Sequence, residues 1–139
     1  MPTLAWYDYA IVRVVPRVER GELINAGVIV SCAAAGYLQA RIELDEARLL
    51  ALDPGADVVG IRAGLAAIPV ICAGGPAAGA LGALSVRERF HWLVAPRSTS
   101  IQTSPVHTGR CESPERQLEH LMQTMVRPPS RRPSPRPGE

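Results

Sequence analysis

The order of patterns along the chain predicts an α+β fold: a mainly antiparallel sheet with helices packed on one of its faces. Three features predict it. Three β-patterned segments follow one another at the N-terminus with short connections, as in a meander. Helical periodicity then dominates from Asp45 to Val94. One later strand, Ser98–Thr103, and a closing helix complete the chain. The 139 residues suit a single core. The domain is expected over residues 1–126, with a Pro/Arg-rich tail over 127–139 that cannot pack a core and should be disordered.

Each element has its own reason. Trp6–Val15 is rich in β-branched and aromatic residues, with Tyr7, Tyr9, Ile11 and Arg13 on one side and Asp8, Ala10, Val12 and Val14 on the other. Pro16 ends this strand, and a charged connection runs to Gly21. Glu22–Cys32 reads as the second strand, and Asn25 and Gly27 inside it suggest a bulge or a close backbone approach. The turn at Ala35-Gly36 leads into a third strand, Tyr37–Leu44. Asp45 is a plausible N-cap for a short helix that ends near Asp53-Pro54-Gly55. Ala56–Cys72 has Val58, Ile61, Leu65 and Ile68 at helical spacing, weakened by Gly60, Gly64 and Pro69. Ala73–Gly82 is Gly/Ala-rich and reads as a loop.

Ser85 with Glu88 three residues on is the capping-box pattern, and it starts a helix that buries Val86, Phe90 and Leu93 or Val94 until Pro96 closes it. Ser104–Cys111 reads as a loop. Ser113-Pro114-Glu115 opens the last helix, whose apolar stripe is Leu118, Leu121, Met122 and Met125.

Composition excludes several classes. Net charge is +2, and all 15 basic residues are Arg. The absence of Lys is first a matter of Arg-favouring codons, although the Arg fork also suits phosphate and carboxylate. Four of these Arg lie in the tail, so the body is close to neutral and a nucleic-acid binder is disfavoured. No apolar run is long enough to span a membrane. The N-terminus has no basic flank before an apolar stretch, so no signal peptide is expected and a cytoplasmic protein is. The three Cys, at 32, 72 and 111, have neither disulfide-framework nor zinc spacing. Cys32 and Cys72 read as core residues, whereas Cys111 falls in the expected loop and could be exposed.

No phosphate loop, dinucleotide fingerprint, metalloprotease motif or nucleophile elbow is present, and no cofactor is called for. What stands out is two polar islands beside apolar, β-prone residues: Arg13–Gly27 and Ala95–Gly109. The first offers Arg13, Arg20, Glu22 and Asn25. Arg13 sits in an otherwise apolar strand and must pair or reach water; pairing with Glu22 or Glu43 is the plainer outcome, an anion site with Arg20 and Asn25 the functional one. The second island offers Arg97, Ser98 and Thr99 as anion donors and His107 as a general acid or base. His91 and His120 read as helix-face residues. Asp45/Glu46 and Asp53/Asp57 flank helix ends, where capping accounts for them.

The same islands carry a family resemblance. Tyr9-Ala10-Ile11-Val12-Arg13-Val14-Val15-Pro16 followed by Arg20-Gly21-Glu22-Leu23-Ile24-Asn25-Ala26-Gly27-Val28 resembles the start of the bacterial family called domain of unknown function 3037. Ala95-Pro96-Arg97-Ser98-Thr99 and Ser104–Gly109 look like its second block, and the Ser113–Val126 helix also fits. The family brings no assigned activity or catalytic residue. It implies one partner, because its members are often encoded near kinases similar to the HipA type. The resulting expectation is an accessory or binding domain in which both islands line one anion- or nucleotide-binding cleft. The alternative is an enzyme acting on phosphate esters or nucleic acid, with His107 as acid/base and Arg13, Arg20 and Arg97 as charge stabilisers.

Overall fold

A computed structural model describes residues 3–129. The fold is α+β, built on a five-stranded antiparallel sheet. The first three strands form the expected meander: β1 (Ala5–Val14), β2 (Ile24–Cys32) and β3 (Tyr37–Ile42). Two short strands, β4 (Ile101–Thr103) and β5 (His107–Cys111), share the free edge of β1 end to end. β5 falls in the segment that reads as a loop. Of its residues only Thr108 is a strong strand former, and pairing with Ala5–Tyr9 imposes the extended shape on the rest.

Between β4 and β5 the ladder is held by one residue. The Ser104 backbone N–H donates to the Ile11 carbonyl at 2.8 Å, and the Ile11 N–H donates to the Ser104 side-chain oxygen, also at 2.8 Å. The hydroxyl thus replaces a ladder carbonyl just before Pro105, where the strand cannot run on. Ser104 is buried, so nothing from solvent can take its place.

The expected bulge is present in β2. Val12 faces Gly27 and Arg13 faces Asn25, which leaves Ala26 over. This extra residue reverses the parity of β2. Ile24 and Ala26 point into the same core as Ile29, while Val28, Val30 and Cys32 point into the other. Gly27 is required by contact: a Cβ there would lie 2.6 Å from the Arg41 carbonyl oxygen of β3.

Helices α1 (Glu46–Leu52), α2 (Val58–Ala73) and α3 (Val86–Leu93) cover one face, as expected. Their caps are those read from the sequence: Asp45 accepts from Arg48 N–H, Asp57 from Gly60 N–H and Ser85 from Glu88 N–H. They bury Leu49, Ile61, Leu65, Ile68, Phe90 and Leu93 against Val12, Val14 and Ile29. Gly74 ends α2 at φ 72, and from there the Gly/Ala-rich segment is not a simple loop but 3-10 turns over Pro76–Ala83. The buried Arg89 closes this corner by donating to the carbonyls of Leu84 at 2.5 Å and Cys72 at 3.4 Å.

The expectation of helices on one face fails for α4 (Pro114–Leu121). Leu118, Leu121 and Met122 pack on the opposite face, against Tyr7, Val28, Val30 and Cys32. The sheet's centre is apolar on both sides, so both sides must be covered. α4 ends in a π turn over Met122–Val126. The wider turn shifts the stripe, so that Val126 is buried and Met125, expected in the core, is 38% exposed.

Arg127, assigned to the tail by sequence, is anchored. It grips Glu43 with two hydrogen bonds of 2.8 and 2.9 Å and Glu119 with one of 2.5 Å, and Arg41 reaches the other Glu119 oxygen. The rest of the predicted tail, 130–139, lies outside the described residues.

Two predictions follow from these contacts. Ser104→Ala leaves the Ile11 N–H buried without an acceptor and should cost about 1–3 kcal/mol. Urea unfolding should show a lower midpoint with an unchanged slope. The second concerns the clasp. Hydrogen bonding to Arg127 holds the Glu43 and Glu119 carboxyls below their ordinary value of 4.5. Depressed folded-state values mean that the stabilisation is complete above pH 4.5 and is lost as pH falls through the folded values. Arg127→Gln should therefore lower Tm at pH 7, and the gap to the unsubstituted chain should close below about pH 4.5; a constant gap would show that the charge pairing is not its source.

Candidate functional site

The two islands are neighbours in space. They meet along the C-terminal half of β1, where Arg13 pairs in register with Gln102 and the Val15 N–H donates to the Ser100 carbonyl at 2.7 Å. Their candidate side chains nevertheless go to separate places.

Arg13 and Asn25 stand opposite each other on the α4 side of the sheet. The Asn25 amide donates to the Met125 carbonyl at 2.9 Å, which fixes its flip. Its oxygen and the Arg13 Nε are both buried without a hydrogen bond. Pairing of Arg13 with Glu22 or Glu43 does not occur, because Arg20 takes Glu22 and Arg127 takes Glu43. The two orphan atoms are a donor and an acceptor on side chains at one register position.

Arg20 and Glu22 form their ion pair on the exposed surface. Arg97 closes the C-terminal end of α3: it donates to the carbonyls of Leu93 at 2.8 Å, Trp92 at 2.7 Å and Ala95 at 3.2 Å, and lies 4.5 Å over the Trp92 ring. These contacts satisfy carbonyls at the helix end and commit both terminal nitrogens of the fork to the scaffold. Ser98 is exposed, and Thr99 donates to the Ile101 carbonyl at 3.0 Å. His107 is exposed at the start of β5, with its ring 5.2 Å from that of Tyr9. Arg13 lies four residues from Tyr9, about 13 Å along the strand. The Arg side chains do not gather around His107.

The other end of β1 carries a different constellation. On the face covered by α3, Thr108, Asp8 and Ser31 form one row across β5, β1 and β2. This row is the floor of a cleft of about 490 Å³, walled by Ser85, Val86, Arg87, Phe90 and His91 of α3, with Trp6 at its mouth. Thr108 donates its hydroxyl to Asp8 at 2.5 Å. Asp8, Arg87 and His91 form no ion pair among the described residues. Ser31 is only 9% exposed, and its hydroxyl has no hydrogen bond among them. Trp6 is 64% exposed, and Arg110 lies 4.9 Å over its ring.

The acidic groups of another cavity are already in use. A second cavity of about 470 Å³ holds Asp53 and Asp57. Asp57 caps α2, and Asp53 accepts from Gly55 N–H at 3.0 Å and from Arg17 at 3.4 Å. Cys111, placed by sequence in a loop where it could be exposed, is a buried β5 residue, and burial pushes its thiol up; Cys72 is pushed up to about 12 by the same cause. Cys72 and Cys111 are therefore poor nucleophiles, and Cys32 is fully buried in the core. Among the described residues, no group of three or more His, Cys, Asp or Glu could hold a metal, and no single helix is long and apolar enough to cross a membrane.

Sequence reasoning passed over the cleft because no linear motif marks it. One signal was available. Asp8 belongs to the same inward-facing set as Ala10, Val12 and Val14, and a carboxylate there needs a partner as much as Arg13 does.

The placement of Arg97 yields a stability prediction. Arg97→Ala removes three hydrogen bonds at a helix end and a cation–π contact, and should cost about 1–2 kcal/mol by chemical denaturation. A neutral result would mean that the fork is free for another task.

A family model described as protein of unknown function (DUF3037) matches residues 9–126. No curated protein and no solved structure matches the chain.

Proposed function

The chain belongs to the DUF3037 family, and on that footing we propose that it is a binding domain whose ligand site is the cleft between the Thr108–Asp8–Ser31 row and α3. The ligand is a small molecule carrying an anionic group. One observation supports this above the rest: a carboxylate, a hydroxyl without a hydrogen bond among the described residues and an Arg all border the same cleft without pairing across it. Buried polar groups are otherwise matched within a fold, so groups left open around a gap suit a guest. The anion belongs at the α3 wall, where Arg87 lies, and away from Asp8. The anion site expected across both islands is thus moved to the opposite end of β1, and of the islands only Thr108 contributes to it.

The role of accessory domain to a HipA-like kinase rests on the family resemblance. Co-purification from the native host followed by mass spectrometry tests that part.

Thermal unfolding against a panel of small organic and inorganic anions tests the cleft. A ligand at one hundred times its Kd should stabilise the fold by about 2.7 kcal/mol. Asp8→Asn and Arg87→Gln should each remove most of that gain while leaving the unliganded fold intact. A gain untouched by both substitutions places the site elsewhere.

A further inference from the structure

Building on that cleft, we infer that its ligand is a nucleoside phosphate, held with its base against Trp6 and its phosphate at the start of α3. Three parts of the cleft specify three parts of the guest.

The mouth specifies a flat ring. Trp6 is an indole 64% exposed on a strand, where an apolar side chain would ordinarily be buried. Arg110, its register partner on β5, lies over the ring at 4.9 Å. An indole exposed to this extent is a stacking platform for a base. The Arg on the ring disfavours a cationic guest, which would otherwise be the natural partner of an indole beside a carboxylate.

The middle specifies hydrogen-bond donors. Asp8 keeps acceptor capacity after accepting from Thr108, and Ser31 directly opposite, itself only 9% exposed, adds a cleft-lining hydroxyl with no hydrogen bond among the described residues. Adjacent N–H groups of a base edge, or the two hydroxyls of a ribose, supply such donors.

The α3 wall specifies the anion. Arg87 is unpaired among the described residues, and His91 stands one turn further on, on the same side of the helix. Ser85 accepts from the Glu88 N–H and donates its hydroxyl to the Glu88 carboxylate at 2.9 Å, so the helix end already carries a negative charge and the anion is left to Arg87 and His91. The Asp8 charge keeps the phosphate off the floor and so fixes the orientation of the guest. A volume of about 490 Å³ falls within the range of about 300–1,000 Å³ typical of organic ligand sites. Free phosphate would leave Trp6, Asp8 and Ser31 without a role, and a sugar phosphate would leave Trp6 without one.

The test uses intrinsic fluorescence. The chain has 2 Trp, so Trp92→Phe leaves Trp6 as the single indole reporter. The probes are AMP, GMP, CMP and UMP, their nucleosides, ribose 5-phosphate and inorganic phosphate. At least one nucleotide should quench Trp6 saturably. Its nucleoside should bind at least tenfold more weakly, and so should the same nucleotide to Arg87→Gln and to Asp8→Asn in the same background. Thermal shift on the unsubstituted chain should rank the probes identically, which covers a Trp92→Phe protein that folds poorly. Equal binding of ribose 5-phosphate or phosphate, lost in Asp8→Asn, overturns the nucleotide but keeps the cleft as a ligand site. Nucleotide binding that both substitutions leave unchanged overturns the cleft itself. Failure of every probe overturns the nucleotide, and the wider anion panel then decides for the cleft.

Discussion

The fold depends on β1 being hydrogen-bonded along both edges. On one side it pairs with β2 from Asp8 to Val14; on the other it is shared by β5 and β4, with Ser104 bridging the junction. Ala10, Ile11 and Val12 at its centre are all buried, so no backbone group there can turn to water. A strand in this position has no freedom of register. Every side chain it carries is assigned to a face and a row by parity alone, and the two ends of the strand become the only places where polar residues can border open space.

Parity also explains why the charged residues of β1 have different fates. Asp8 is even and faces α3; Arg13 is odd and faces α4. The bulge at Ala26 then decides the neighbours of Arg13. Without the extra residue, β2 would keep its parity and Asn25 would not stand beside Arg13 on the α4 side. As built, Asn25 is tied to the Met125 carbonyl, and the end of α4 is tied down again by Arg127 on Glu43 and Glu119. The first island is thus the junction at which the last helix locks onto the sheet.

Much of this was legible in residues taken singly. The alternation of Trp6–Val15, the caps at Asp45 and Ser85, the bulge signalled by Asn25 and Gly27, and the turn at Gly36 are local signals with local causes, and each is found where it was expected. What was not legible depends on pairing or on phase. β5 is extended because β1 needs a partner there. Met125 and Val126 exchange roles because a π turn adds a residue to the turn, and neither residue encodes that. α4 crosses to the second face because Val28, Val30 and Cys32 require cover, a demand set by the sheet as a whole. The cleft failed to show for a similar reason: its floor comes from three strands and its wall from a fourth element, so its members are scattered over residues 6–108.

Polar concentration along the sequence therefore marks two kinds of place here, and electrostatics separates them. Arg20, Arg97 and Arg127 all have nearby acceptors, a carboxylate or a helix-end carbonyl, and each is spent on them. An Arg-rich chain without Lys has many rigid forks available for such work, and each one bound to the scaffold is lost to ligand binding. Asp8 and Arg87 differ because the cleft holds them apart. Their attraction would favour closing the gap, but the 3-10 turns and the Ser85 cap fix the start of α3, and the β1–β2 register fixes Asp8. On the proposed reading, rigid elements thus keep two opposite charges open to a guest that satisfies both with little reorganisation.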